Sequence, residues 1–300
     1  MANTISTDLQ NNIISQSALE QFTSILAPLN SFSTSFNDEA TSKGKTISIP
    51  KISNTSSAVT FASTSNAYAD QNTEYGAVQI TLDKHYYVSW NITDTESSQS
   101  SAVELQRFGY QKGGDLAKAV FQDVLSEVTS ANYAESHLST AADFDAADVA
   151  DIRAKGITAN LYPDQCALIL ANDYFTSLLK DTDISHAMSY GSADVIRDGN
   201  VPSLFGINAI RESNSIPGNS QGLRGFYAHP SALAVAMRYL EPLNTSQYIN
   251  ANRVFDEATG MVMGYREFYT PSTGVQTAVL ECVYGYEVGI GENLIRIRNV

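Results

Sequence analysis

Val78-Gln-Ile-Thr-Leu-Asp-Lys-His-Tyr-Tyr-Val-Ser-Trp90 alternates apolar and polar side chains, with Val78, Ile80 and Leu82 on one side and Gln79, Thr81 and Asp83 on the other. A period of two is the mark of a half-buried strand, and the pattern carries on through Tyr86, Val88 and Trp90. Upstream, Ile47, Ile49 and Ile52 open an extended run around Pro50, so the 45–50 stretch is the expected antiparallel partner of the later strand. Between them, from Ile52 to Thr73, the only charged residue is Asp70 in a run of Ser, Thr, Asn and Ala. Such a run has too few large apolar groups to fold on its own core, and too little charge and Pro to read as a solvated linker. A long two-stranded loop of this kind is marginal alone in water and needs something to lie on. The expectation is order gained against other copies of the chain.

Downstream of Asp94 the period changes. Asp94 or Thr95 is the expected N-cap, with Glu96 in the first turn and Val103 and Phe108 on the early apolar face. Leu116, Val120, Val124 and Val128 recur every four residues, flanked by Phe121 and Leu125, which predicts a long amphipathic helix. Gly113-Gly114 predicts a bend or break in it. Before the loop, Leu19, Phe22, Thr23 and Leu26 share one face of a weaker helix that Pro28 ends. Beyond residue 140 the texture is mixed: a helix capped by Asp143 or Asp145, carrying Val149 and Ile152 and stopped by Gly156; a buried strand over 166–171; a helix capped by Asn172; surface loop over 181–200; and a strand through Leu204, Ile207 and Ile210 ending near Pro217. Residues 229–240 read as a helix with Pro230 in its first turn. The last fifty residues read as antiparallel strands over 261–269 and 275–288, then Leu294, Ile295 and Ile297.

Composition limits the function classes. A chain of 300 residues with 43% hydrophobic content can bury a real core, while only 17% charged residues suits a surface largely covered by neighbours. A net charge of −14 argues against gripping a nucleic-acid backbone. No apolar run approaches a membrane span, and the N-terminus lacks the basic start and apolar core of a signal peptide. The sequons at Asn54, Asn91 and Asn244 therefore carry little meaning, and Cys166 and Cys282, each in an apolar stretch, are expected as buried thiols.

The motifs that suggest catalysis lack their contexts. Gly44-Lys45-Thr46 has Glu39 where a phosphate-binding loop needs its first glycine. Gly218-Asn-Ser-Gln-Gly222 matches the nucleophile elbow of hydrolases, but Ser220 is followed by a strand, and no acid lies between it and His229. His85, His137, His186 and His229 show no metal-ligand spacing, and Gly289-Ile-Gly291 lacks a third glycine and a following helix. No catalytic, cofactor-binding or metal residue is assigned, and the chain is not expected to be an enzyme.

The order of parts resembles the major capsid proteins of tailed bacteriophages, the HK97-like fold shared with encapsulin shells. The likeness rests on the 47–50 and 78–90 stretches, on Gly114-Asp-Leu-Ala-Lys-Ala-Val-Phe-Gln-Asp-Val-Leu125 as a spine-like helix, and on Leu204-Phe-Gly-Ile-Asn-Ala-Ile-Arg-Glu-Ser213. Gly225-Phe-Tyr-Ala-His-Pro-Ser-Ala-Leu-Ala-Val-Ala236, taken as strand then apolar helix, resembles the P22-type coat proteins, and Leu280-Glu-Cys-Val-Tyr-Gly-Tyr-Glu-Val288 a late strand returning to the P domain. The resemblance implies an α+β fold with an N-terminal arm (1–45), an E-loop (46–93), a P domain with its spine helix (94–140), an A domain (141–250) and closing P/A strands (251–300).

It implies a shell of pentamers and hexamers around double-stranded DNA, held without sequence-specific binding, without cofactor or membrane. The site is the virion, with assembly in the host bacterial cytoplasm. Because the chain starts directly with the arm, a separate scaffolding protein is expected, besides a portal and cementing proteins. Lys43, Lys45 and Lys51 sit at the root of the loop and none at its tip, so the Lys–Asn crosslink of some family members is not expected. An encapsulin-like compartment shell, a hydrolase using Ser220 and a secreted β-rich adhesin are the alternatives.

Overall fold

The computed structural model describes residues 7–34, 46–53, 74–99, 102–181, 184, 203–256 and 259–300. The 185–200 part of the expected surface loop, His186 with it, and residues 54–73 of the loop tip lie outside these. The longest helix, α3 (Ala102–Leu125), follows a short α2 (Asp94–Gln99) and packs along the N-terminal helix α1 (Thr7–Leu26). Leu116, Val120 and Val124, with Ala117, Phe121 and Leu125, are all fully buried, so the four-residue spacing did mark the inward face. The helix runs unbroken through Gly113-Gly114. A Cβ at Gly113 would stand 2.4 Å from the Ala18 carbonyl oxygen, and one at Gly109 2.8 Å from that of Ile14. These glycines let two helix backbones touch, and the lost helix propensity is offset by that contact. Phe108, expected on the inner face, is exposed, because Gly109 occupies that face instead. Val103's side chain lies outside the described residues.

The cap of α2 is Thr93, one residue before Asp94 and two before Thr95. Thr93 Oγ1 accepts from Glu96 N at 3.3 Å and Glu96 Oε2 accepts from Thr93 N at 2.9 Å, a reciprocal capping box. At α4 (Ala146–Thr158) Asp145 is the cap, paired with Asp148, and the helix passes Gly156, where Tyr227 leaves no room for a side chain. Asn172 opens α5 (Asn172–Lys180) without capping it; Ala171 holds that position.

Two sheets form the body. In the first, β3 (Lys84–Thr93), β11 (Val275–Val288), β10 (Val262–Thr270) and β9 (Asn250–Phe255) lie in that order, and β8 (Leu233–Arg238) pairs with the far end of β11. In the second the order is β4 (Ser136–Leu138), β12 (Leu294–Arg298), β7 (Leu223–Ala228), β5 (Ala167–Ala171), β6 (Ala209–Ser213). On β5, Ala167 and Ile169 face the large core built on α1, α3 and the first sheet, while Leu168 and Leu170 face a separate core with Val149, Ile152, Tyr174 and Leu178. An apolar run buried on both faces is what a central strand requires. Leu204 and Ile207 form only an isolated bridge before β6.

Residues 229–240 are not a helix. Pro230–Ala232 make one 3₁₀ turn and β8 follows. Leu233, Val235 and Met237 enter the large core, and Ala234 and Ala236 enter a third, smaller one. Large and small residues alternate with period two, but both faces are buried, so the alternation is of size and not of polarity. The apolar helix on which the P22-type likeness drew is therefore absent.

Glu267 of β10 is a buried carboxyl facing the large core. Burial pushes its pKa up to about 7 from 4.5, opposed by a hydrogen bond with the Tyr265 hydroxyl. Because the folded state binds this proton more tightly, the carboxyl supports stability below about pH 4.5 and that support is lost as pH rises through about 7. Glu267→Gln is expected to flatten this descent and raise stability at pH 8 by about 2–3 kcal/mol, measured by urea unfolding across pH. A variant whose pH profile superimposes on the parent would refute it.

Candidate assembly surface

The part of the molecule that stands apart is the hairpin. β1 (Thr46–Ser53) and β2 (Glu74–Thr81) form their own two-stranded antiparallel sheet, with Ile47 opposite Ile80 and Ser53 opposite Glu74. The alternating 78–90 stretch is thus two strands. It breaks at Leu82-Asp83, after which β3 joins the first sheet against β11. Ile47, Ile80 and Leu82 pack on Ala234, Ala236 and Val283, and this third core holds the hairpin root on β8 and β11. A Cβ at Gly285 would lie 2.2 Å from the Thr81 carbonyl oxygen, so glycine there lets the root sit down. Larger residues at Ala234 and Ala236 would lift it, which explains the small half of the β8 alternation.

Just past the two-residue joint, Lys84 Nζ lies 2.8 Å from Asp123 Oδ2 of α3, hydrogen-bonds the Tyr286 hydroxyl and sits 4.1 Å from that ring's centre. The Tyr284 hydroxyl donates to the same carboxylate at 2.7 Å. Despite partial burial, these contacts push the Lys84 pKa well above the ordinary lysine value. The cation therefore fastens the start of β3 to the long helix. On the opposite face of the sheet, Glu281 is buried with Arg266 Nε at 2.6 Å and His85 Nε2 at 3.1 Å. The Arg266 contact is one of charges without hydrogen-bond alignment, while its Nη2 donates to the Leu240 carbonyl at 2.6 Å.

The Gly218–Gly222 turn is a bracket, not an elbow. Asn219 and Ser220 adopt left-handed φ of 49° and 53°, as an elbow serine's strain would suggest, but Asn219 Nδ2 donates to the carbonyls of Leu125 at 2.8 Å and Val128 at 3.0 Å. The side chain thus caps the C-terminal end of α3. Gln221 Oε1 accepts from Ser130 N and Arg296 Nη1, tying the same turn to β12. His229 Nδ1 pairs with Ser231 within its own turn, and burial lowers its pKa. Asn219→Ala is expected to cost about 1–2 kcal/mol in urea unfolding, and Ser220→Ala under about 0.5. The reverse order would restore interest in Ser220.

The other singled-out residues have structural surroundings. His137 Nε2 meets Asp148 Oδ1 at 2.7 Å, and Ser139 Oγ donates to Asp148 Oδ2 at 2.8 Å, so the carboxylate stands between histidine and serine and locks β4 to α4. Cys166 and Cys282 are buried free thiols, and burial pushes Cys282 up to about 12. Gly289-Ile290-Gly291 follows β11, with both glycines against backbone carbonyls. Gly44, Lys43 and Lys45 lie outside the described residues; Thr46 and Lys51 stand on β1. Among the described residues no helix is long and apolar enough to cross a membrane, and no His, Cys, Asp and Glu side chains cluster as metal ligands.

No protein-family model and no curated protein sequence matches the chain. Solved structures do. A structure of Mycobacterium phage Che8 superposes with TM-score 0.61 at 16% identity, covering 89% of each chain. The fold is HK97-like. The capsid structure of the cyanophage P-SCSP1u gives TM-score 0.58 at 14% identity, over 86% of this chain and 84% of that one. A virus-like particle from Pyrococcus furiosus gives 0.53 at 11% identity, over 95% and 97%. With helices and two multi-stranded sheets in one chain, the fold class is α+β.

Proposed function

We propose that this chain is a shell-forming major capsid protein. The observation that carries the reading is the hairpin: a separate two-stranded sheet, packed through its root on β8 and β11 and standing on a body with the HK97-like fold. A hairpin with its own outer edge and an uncharged continuation offers backbone donors and acceptors to neighbours, and a closed shell repeats each such contact around every axis. Exposed Tyr87, Phe108, Tyr110, Tyr162 and Phe205 add apolar area of the kind that subunit contacts cover.

On this reading residues 1–45 are the arm, 46–93 the E-loop, 94–140 the spine region, 141–250 the A domain and 251–300 the closing strands. The product is an icosahedral particle of pentamers and hexamers in a tailed-phage virion, assembled in the bacterial cytoplasm around double-stranded DNA. A scaffolding protein, a portal and cementing proteins are its partners. A net charge of −14 suits a wall that does not hold the packaged DNA tightly. No catalysis is part of this function. Expression of the full chain and negative-stain imaging test it: closed particles tens of nanometres across are expected, and a stable monomer at all concentrations, with or without a crowding agent, would overturn it.

A further inference from the structure

Of the sheet edges among the described residues, one is long and undefended. β3 borders the first sheet and pairs with β11 alone, over ten residues in continuous register. From His85 to Thr93 it carries no Asp, Glu, Lys, Arg, Pro or Gly. Natural sheets guard such edges with charge, proline, a bulge or shortness, because unpaired backbone groups are a template for another strand. The other edges show these devices: Arg253 on β9, Arg211 and Glu212 on β6, a length of three residues for β4, and Pro50, Lys51 and Glu74 on the hairpin strands.

The ladder fixes which groups of β3 look outward. Asp94 N donates to the Gly274 carbonyl at 3.1 Å, one step beyond the Thr93–Val275 pair. Hydrogen-bonded pairs alternate along an antiparallel ladder, so even residues of β3 turn their backbone groups to β11 and odd ones turn theirs to the open edge. Thr93 N is accordingly met by a side chain, Glu96 Oε2 at 2.9 Å, and not by a strand. His85, Tyr87, Ser89 and Asn91 present the other outward donors and acceptors. The strand is also complementary to itself. An antiparallel pair of two copies centred on Ser89 sets Val88 against Trp90 and Tyr86 against Ile92 on the face toward the large core, and Tyr87 against Asn91 on the other. An aromatic ring beside a branched aliphatic is a favourable cross-strand pair. At each end Lys84 stands opposite Asp94, so the charges that bound the strand have opposite sign across the seam. Tyr86 and Tyr87, which the pairing covers, are 37% and 65% exposed in the single chain.

We infer that β3 pairs with β3 of a second copy about a two-fold axis through Ser89, joining two first sheets into one through about six new backbone hydrogen bonds. This goes beyond the shell reading, which supplies neighbouring copies but names no two-fold contact. Single-cysteine variants of the full chain read the register, since the native thiols are buried. Ser89 stands opposite its own copy on the axis, within the Cα spacing that a disulfide spans. Ser89→Cys alone is therefore expected to give a disulfide-linked dimer under mild oxidation, at least about tenfold more than Tyr87→Cys or Asn91→Cys alone, while those two mixed are expected to link to each other. The Ser89 side chain is exposed, so a charge there leaves the core undisturbed. Ser89→Lys is expected to weaken self-association at least about tenfold in sedimentation with an unchanged urea midpoint, and mixing it with Ser89→Glu is expected to restore association. Particles that form from Ser89→Lys as from the parent, with no Ser89→Cys dimer, overturn the pairing and leave the shell reading standing. Paired copies that never close into particles do the reverse. Loss of assembly in Ser89→Lys that Ser89→Glu does not rescue, again without the cysteine dimer, means that another strand or protein covers this edge, and it too overturns the inference.

Discussion

Gly113→Leu is expected to lower stability by about 3 kcal/mol or more, a drop in Tm of roughly 6–10 °C for a chain of this size. The added Cβ alone would stand 2.4 Å from the Ala18 carbonyl oxygen and 2.9 Å from its Cα. Both are backbone atoms of α1, so no rotamer change relieves the overlap. The helix must move as a body, and it carries Ile14, Ala18, Phe22 and Leu26 out of the large core. The next residue provides the control. A Cβ at Gly114 meets Gln21 Cγ at 3.2 Å, the middle of a flexible side chain, so Gly114→Ala is expected to be neutral or to gain up to about 1 kcal/mol of helix propensity. Thermal and urea unfolding of the two variants side by side decide the matter. Equal, small effects would mean that the helices are not in backbone contact.

Arg266→Met is the second large effect. It removes the guanidinium 2.6 Å from Glu281 and leaves that carboxylate, 7% exposed in its side chain, with His85 as its remaining ion-pair partner among the described residues. Breaking a buried pair from one side costs about 3–5 kcal/mol, because the remaining charge stays desolvated. The same removal frees the Leu240 carbonyl, which Arg266 Nη2 now holds. Replacing both partners, Arg266→Met with Glu281→Met, is expected to recover most of the loss, since no charge is then left buried. Urea unfolding of the two single variants and the double supplies the cycle. If the double variant is as unstable as the sum of the singles, the pair is not coupled and the ion-pair reading fails.

The long helix, the antiparallel strands over 261–288 and the pairing of the 45–50 stretch with the later strand were legible because each writes its own period into neighbouring residues. The capping residue of α2 was misplaced by one or two positions, since Thr93, Asp94 and Thr95 are all competent caps and only the reach of Glu96 back to Thr93 chooses among them. The assembly surface was half legible. A low-charge loop could be read directly, but the seat of its root could not, because Ile47, Ile80 and Leu82 rest on Ala234, Ala236 and Val283, about 150 to 240 residues further along the chain.

By itself the sequence determined where the chain can be helical or extended and which segment cannot fold alone, for these follow from local spacing, charge and side-chain volume. Three decisions belonged to the tertiary structure. Leu233–Arg238 is a strand because a second core, the hairpin root, covers its alanine face. Gly109 and Gly113 sit within an intact helix because another backbone occupies the space of their missing side chains. The 78–90 run divides at Leu82-Asp83 because its two halves find partners in different sheets. In each case the deciding neighbour is distant in the chain, and a period read along one segment holds no record of what will pack against its other face.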